Sequence, residues 1–305
     1  MTSNPAIAGI PLVLGGNVFG WTANQDTSFA VLDAFFAAGG RMIDTADVYS
    51  AWVPGHKGGE SETLIGAWLA SRGVRAEMRI HTKTGMMGGA ELYEPVRIQQ
   101  SLDQSLERLQ TDYLDLYYAH QDFADLPIAD IVAAFGATTD RVRSLGASKF
   151  GAGRLSEALT AAKAQGAAPF TALQNAYNLV ARADYAADLQ ALCTTCGIAM
   201  FPFYGSANGF LTGKYRTAAD LKKSIRGGRS KDLIISGAPM LAAMDAISAE
   251  TGATLAQIAL AWLAVQPGIA APIASATSVA QVQDLCGMAS LTLSPDQLAR
   301  LDTAL

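Results

Sequence analysis

Arg41-Met42-Ile43-Asp44-Thr45-Ala46-Asp47-Val48-Tyr49 is the stretch on which the reading of this chain turns. A short apolar run carries the backbone to Asp44, and a tyrosine follows five residues later in a polar segment. An apolar run that ends in an acid and then a polar loop is how a buried parallel strand delivers a functional group at its C-terminal end. Asp44 and Tyr49 then belong to one strand-loop unit and are placed to share a site. Taken alone, the pattern fits equally well a turn capped by Asp44 and Asp47 with Tyr49 packed on the surface. The rest of the chain decides between the two.

Immediately before this stretch, 26–38 has helical spacing through Phe29, Leu32, Phe35 and Phe36, an Asp or Thr as N-cap, and Gly39-Gly40 as its stop. Beyond it, helices are predicted over 60–72, 95–109, 128–142, 154–165, 183–196, 240–251, 255–265, 279–288 and 295–305. Strands are predicted over 9–14, 78–83, 113–120, 144–147, 171–173, 198–201 and 269–273. Strands alternating with helices argue a parallel sheet. Together with the strand at Asp44 they make about eight strand-helix units, the number that closes a (β/α)8 TIM barrel, an α/β fold of this size. No linker, long-period repeat or low-complexity tract divides the chain, so residues 1–305 read as one barrel domain. The segment from Gly15 to Gly20 does not fit G-x-G-x-x-G, which removes a Rossmann reading.

Composition narrows the function. The 305 residues carry a net charge of -5, which disfavours a general electrostatic grip on nucleic acid or anionic lipid. Residues 1–10 lack the basic segment and apolar core of a secretory signal. The most apolar region, 255–276, is broken by Gln257, Gln266 and Pro267-Gly268 and is not a membrane span. A cytoplasmic location is expected. Cys193 and Cys196 form a C-x-x-C late in a helix-like segment with no second ligand pair, and His56, His81 and His120 are scattered, so no metal site is expected.

In a barrel of this kind the C-terminal strand ends form one rim, and the rim carries the chemistry. The predicted ends supply Asn17, Asp44 with Tyr49, Lys83, His120, Ser148, Gln174, Phe203 and Ser275. The four ionisable members make sense together. A free tyrosine is too weak an acid to give up a proton efficiently at neutral pH. An ammonium beside it favours the phenolate, and a carboxylate paired to that ammonium keeps it charged and fixed. Lys83 and Asp44 are expected to do this for Tyr49, lowering its pKa, while His120 donates a hydrogen bond to a substrate oxygen. The bland alternatives are a rim salt bridge for Lys83 and Asp44 and a core histidine for His120.

Several motifs in series now carry a resemblance: Ile43-Asp44-Thr45-Ala46-Asp47-Val48-Tyr49, Thr82-Lys83, Leu116-Tyr117-Tyr118-Ala119-His120, Gly146-Ala147-Ser148-Lys149-Phe150, Leu173-Gln174-Asn175, Gly209-Phe210-Leu211-Thr212-Gly213-Lys214-Tyr215 and the run from Pro272 to Gln281. The chain resembles the aldo-keto reductases, which reduce aldehydes and ketones with NADPH on a (β/α)8 barrel. The resemblance implies that Asp44, Tyr49, Lys83 and His120 are catalytic, with Tyr49 protonating the oxygen as hydride reaches the carbonyl carbon, and alcohol oxidation as the reverse. It implies NADP(H) as cofactor, with NAD(H) as the alternative. It also implies a cofactor site in which Ser148 and Gln174 hydrogen-bond the nicotinamide carboxamide and Phe203 stacks under the ring. Leu211 and Gly213 would line the pyrophosphate, Ser275, Ser278, Gln281 and Asp284 would surround the adenosine end, and Asn17, Asp44, Lys214 and Thr277 would belong to the same site.

The chain departs from the pattern at three places. Lys149 stands where the family usually has Asn, Phe203 where it usually has Tyr, and Thr277 where it often has an Arg that grips the 2'-phosphate. A flat aromatic face is all that stacking needs. Loss of a bidentate cation weakens phosphate recognition, but Lys222, Lys223, Arg226, Arg229 and Lys231 crowd one loop of an otherwise acidic protein. That loop, Arg226 included, is expected to fold over the cofactor and restore the charge. Phe19, Trp21, Trp52 and Phe123 are expected to wall a small-molecule carbonyl or alcohol substrate. A rival reading keeps the fold and the nicotinamide cofactor but not the turnover, as in a sensor or accessory subunit. The sequence says nothing of oligomeric state.

Overall fold

The computed structural model describes residues 4–305. The reading of residues 1–10 therefore falls partly outside the described residues. Eight parallel strands form the sheet: β1 Val13–Gly15, β2 Met42–Asp44, β3 Arg79–Thr84, β4 Leu116–Ala119, β5 Leu145–Ser148, β6 Phe170–Gln174, β7 Ala199–Met200 and β8 Ile273–Ala274. Their order is β7-β6-β5-β4-β3-β2-β1-β8. The remaining seam closes through Met200 N–H to Gly268 O, 2.9 Å, Ala270 N–H to Met200 O, 2.8 Å, and Ile273 N–H to Pro202 O, 2.8 Å. The sheet is thereby a (β/α)8 barrel.

The helices between strands are α1 Gln25–Ala37, α2 Glu60–Arg72, α3 Pro95–Leu109, α4 Ile128–Gly136, α5 Ala152–Gln165 and α6 Ala187–Cys196. After β7 come α7 Leu233–Ser236, α8 Ala238–Thr251 and α9 Leu255–Ala264, and after β8 come α10 Val279–Cys286 and α11 Pro295–Asp302. Two helices match their predicted bounds, and both carry strong local signals. Gly73, at φ 67°, ends α2, and Pro95 opens α3. Elsewhere the ends shift. The N-cap of α1 is Asn24, whose side chain accepts from Thr27 N–H, 3.0 Å away, rather than an Asp or Thr. Residues 183–196 split into a 3-10 turn, Ala183–Tyr185, and α6, while α4 stops at Gly136. The redox-like pair lies on α6, where Cys193 is a buried free thiol pushed up to about 11 by burial, which suits core packing.

Strand alternation positions the site. Side chains on a strand point to opposite faces in turn. Val13, Met42, Leu116, Tyr118, Ala172 and Phe201 pack together inside the barrel, whereas Ile43, Ile80, Tyr117, Ala147 and Leu173 pack in the cluster that includes the helices. His81 joins the inner set, 5.2 Å from Phe201 and 6.5 Å from Tyr118 between ring centroids. Two residues past Met42 is Asp44, two past His81 is Lys83, two past Tyr118 is His120, and two past Ala172 is Gln174. All four share the inward face at the C-terminal end.

Candidate active site

Lys83 is the hub of the rim. Its ammonium donates to Asp44 Oδ2 at 2.7 Å, to the Thr45 carbonyl at 2.6 Å, and to Tyr49 Oη at 3.3 Å. Lys83 is fully buried and Asp44 nearly so. Burial alone would strip the ammonium of its charge, but Asp44 and Tyr49 outweigh it and hold the Lys83 pKa above its ordinary 10.5. The other oxygen of Asp44 accepts from Gln174 Nε2 at 2.8 Å, so the carboxylate is tied to both β3 and β6.

Tyr49 and His120 complete the group, their ring centroids 6.2 Å apart at 71°. For Tyr49 the sequence expectation needs correction. Burial raises the phenol above its ordinary 10, and Asp44 adds to the rise; the Lys83 charge pulls the other way without cancelling them. Lys83 limits the rise instead of producing a fall, because depth of burial, unknown from sequence, enters with the opposite sign. The imidazole of His120 is driven well below 6.5, by burial first and then by the charges of Lys83 and Lys149. It is therefore neutral at neutral pH, and its Nδ1 is buried without a partner.

A second layer holds the loop that carries Tyr49. Asp47 accepts from the Thr84 hydroxyl at 2.7 Å, and its backbone N–H donates to the Lys83 carbonyl at 3.1 Å. Burial pushes the Asp47 carboxyl up to about 6. Farther along, the Glu60 carboxylate accepts from the backbone N–H groups of Ser50, Lys57 and Gly58, at 3.2, 2.8 and 3.1 Å. Trp52, 47% exposed, packs edge-on against Tyr49 at 5.8 Å and against Trp21 at 5.5 Å. Trp21 and Trp52 thus stand beside the phenol as an aromatic wall. Phe123 packs on Tyr93 at 4.9 Å. Phe19 is wholly buried in the core and presents no surface to a ligand, so it falls outside this wall. A cavity of about 500 Å³, lined by Gly20, residues 55–60, Thr63 and Leu64, lies beside the rim and includes none of Asp44, Tyr49, Lys83 or His120.

The remaining rim residues divide by what their side chains already hold. Ser148 donates to the Gln174 carbonyl at 2.8 Å, and Ser275 to Asn17 Oδ1 at 2.8 Å, which ties the ends of β8 and β1 together. Phe203 is half-buried and meets Tyr204 edge-on at 4.9 Å. Leu211 lies in the core, so only its backbone is free to face a ligand; Gly213 turns the chain at φ 78° and Lys214 is exposed. Gln281 Oε1 accepts from the Thr277 N–H and hydroxyl, and Ser278 caps α10. The Asp284 carboxylate accepts from Thr254 and Gln257 of α9, at 2.9 and 3.1 Å. Arg226 brings its guanidinium 5.0 Å over the Trp21 ring, so the basic loop reaches the Tyr49 side of the cleft.

Sequence reasoning missed two contacts. One is the Thr45 carbonyl on Lys83, which as a backbone group leaves no trace in residue type. The other is the amide of Gln174 on Asp44, whose signal was present: both lie on inward parities of their strands.

A family model described as the aldo/keto reductase family matches residues 11–305. Norsolorinic acid reductase B of Aspergillus parasiticus is 28% identical over 320 residues, covering 96% of this chain and 80% of the relative. An aryl-alcohol dehydrogenase [NADP(+)] of Phanerodontia chrysosporium is 28% identical over 306 residues, covering 92% and 76%. An uncharacterized oxidoreductase, YrpG, of Bacillus subtilis is 29% identical over 307 residues, covering 95% and 90%.

Proposed function

We propose, for a chain that belongs to the aldo/keto reductase family and is thereby an NAD(P)-dependent oxidoreductase, that it interconverts a small aldehyde or ketone and its alcohol with Tyr49 as the proton-transfer group. The observation that carries this reading is the ammonium of Lys83 held at once by Asp44 and in reach of the Tyr49 hydroxyl. The bound nicotinamide supplies the hydride in reduction and takes it up in oxidation. Tyr49, protonated at neutral pH, donates to the carbonyl oxygen as that oxygen gains charge. Its own charge then faces Lys83, whose fixed ammonium needs no reorganisation to receive it. Neutral His120 donates a hydrogen bond to the same oxygen and so orients the carbonyl. In oxidation the same groups run in reverse, with the phenolate accepting the proton.

The rim fits the cofactor. Phe203 offers an aromatic face, and the unpaired, buried Oδ1 of Asn208 lies in the loop expected to meet the pyrophosphate. Ser148 and Gln174 stand at adjacent strand ends where a carboxamide is expected. Of the five cations at 222–231, Lys223 pairs with Asp220 at 2.7 Å. The guanidinium of Arg226 stacks on Trp21 and leaves its N–H groups for an anion. NADPH is the preferred cofactor on this reading, with the loop compensating for Thr277. A relative's name, aryl-alcohol dehydrogenase [NADP(+)], supports the same choice.

Two measurements test the reading. Loss of reduced-nicotinamide absorbance with a panel of aromatic and aliphatic aldehydes should be catalytic and saturable. Cofactor binding with no carbonyl turned over would favour a nicotinamide-binding sensor instead. Dissociation constants for NADPH and NADH should differ by at least about tenfold in favour of NADPH, with the gap narrowing as salt rises. An NADH preference would remove the basic loop from phosphate recognition.

A further inference from the structure

Beyond the effect of its charge on His120, Lys149 has no role in the chemistry described so far, and its surroundings are unusual for a lysine. Its backbone is fixed at the end of β5: its N–H donates to Asn175 Oδ1 at 2.7 Å and to the Gln174 carbonyl at 3.2 Å, with φ at 62°. Its side chain then runs along the rim to Met86, beyond the end of β3, where Nζ lies 3.3 Å from the thioether sulfur. β4 lies between β5 and β3 in the sheet. Neighbouring strands are about 4.8 Å apart, so the lysine stem crosses the end of β4, which is where His120 stands. The charge of Lys149 is accordingly among those felt by His120.

A thioether is a weak acceptor and does not neutralise an ammonium. The acids nearest along the rim are already engaged: Asp44 with Lys83, Asp47 with Thr84, and Asp122 with Arg154 at 2.8 Å. Among the described residues Lys149 makes no ion pair with any carboxylate. The cation therefore stands without a carboxylate partner on the stretch of rim between β5 and β3 that includes His120.

We propose that Lys149 is a specificity-determining residue that selects carbonyl substrates bearing a carboxylate, whose charge lies under its ammonium while the carbonyl lies between Tyr49 and His120. This rests on the carbonyl-reducing function proposed above. Because Lys149 is exposed to solvent, the effect is the modest one of a screened pair, about fivefold in kcat/KM at low salt, and it fades as salt rises.

The test compares 4-(carboxymethyl)benzaldehyde with its methyl ester; the methylene insulates the ring from the substituent, so the pair differs chiefly in charge. The wild-type protein should favour the acid about fivefold in kcat/KM at low ionic strength. The ratio should fall to near one in Lys149→Met, return in Lys149→Arg and invert in Lys149→Glu, with the cofactor dissociation constant unchanged. Equal use of acid and ester by the wild type, or an acid preference that survives in Lys149→Met, overturns the proposal while leaving the parent reading standing. So does a Lys149→Met protein whose main loss is in cofactor affinity. If neither aldehyde is reduced by the wild type, the parent reading fails and this inference fails with it.

Discussion

Lys83 and Asp44 form an ion pair withdrawn from water, and such a pair is far more costly to halve than to remove. Lys83→Met leaves the Asp44 carboxylate buried with only Gln174 as partner, and should lower stability by roughly 3–5 kcal/mol as well as abolish turnover. Adding Asp44→Asn should restore much of the stability and none of the activity, a separation that denaturant titration of the two variants would read. An opposite sign operates at Asp47. Its folded-state carboxyl is raised from 3.8 to about 6, so the folded chain binds more protons than the unfolded one between those values. Stability is therefore lost as pH climbs through that window, by at most about 3 kcal/mol. Asp47→Asn should be more stable than wild type at pH 7 and lose that advantage near pH 4; equal melting differences at both pH values would contradict this. At this scale the sequence disclosed which groups belong together but not the sense of every shift. The Tyr49 phenol rises because the fold buries it, and burial is a property of packing. The reach of Lys149 across β4 was hidden for a similar reason, since it depends on a left-handed backbone and on where Met86 lies.

Among the elements, α2 ties together the strands that carry Asp44 and Lys83. Ser61, at its start, donates to the Gly16 carbonyl at 2.8 Å and accepts from Thr45 at 2.9 Å; Glu62 accepts from Thr82 and is held by Arg108 of α3 at 2.7 Å. The first turn of α2 thus clamps β1, β2 and β3 from outside while Asp44 and Lys83 pair within. The clamp needs α2 and α3 close together. A Cβ added at Gly66 would lie 2.2 Å from the Arg108 carbonyl oxygen and 2.7 Å from the Leu109 backbone, atoms that cannot rotate away. Gly66→Ala should therefore cost about 1–3 kcal/mol despite its better helix propensity; a melting temperature at or above wild type would refute the close-contact argument. The bounds of α2 and α3 were legible because a C-terminal glycine and an N-terminal proline punctuate them. The early end of α4 carried a weaker mark, Gly136, which is the last helical residue and not a left-handed stop beyond it, and no Gly or Pro marks the split ahead of α6.

For the whole molecule, the alternation of strands with helices was enough to read the barrel and to put Asp44, Lys83, His120 and Gln174 at its strand ends, while their common inward parity emerged only from the packed strands. What alternation could not supply was which rim groups face a ligand and which hold the rim itself together. The hydrogen bonds of Asp284 to Thr254 and Gln257 have no signature in residue type, whereas the burial of Leu211 has one in its apolar side chain. Closure also explains how residues distant in sequence meet. Gln174 reaches Asp44 across the interior, 130 positions away along the chain. The proposed activity therefore depends on a phenol that gives and takes a proton under one ammonium at the mouth of a closed barrel. Steady-state reduction of an aldehyde by Tyr49→Phe, with cofactor affinity measured on the same protein, tests this most directly. Turnover should fall by at least about a hundredfold with cofactor affinity preserved. Turnover equal to wild type would show that the proton comes from elsewhere.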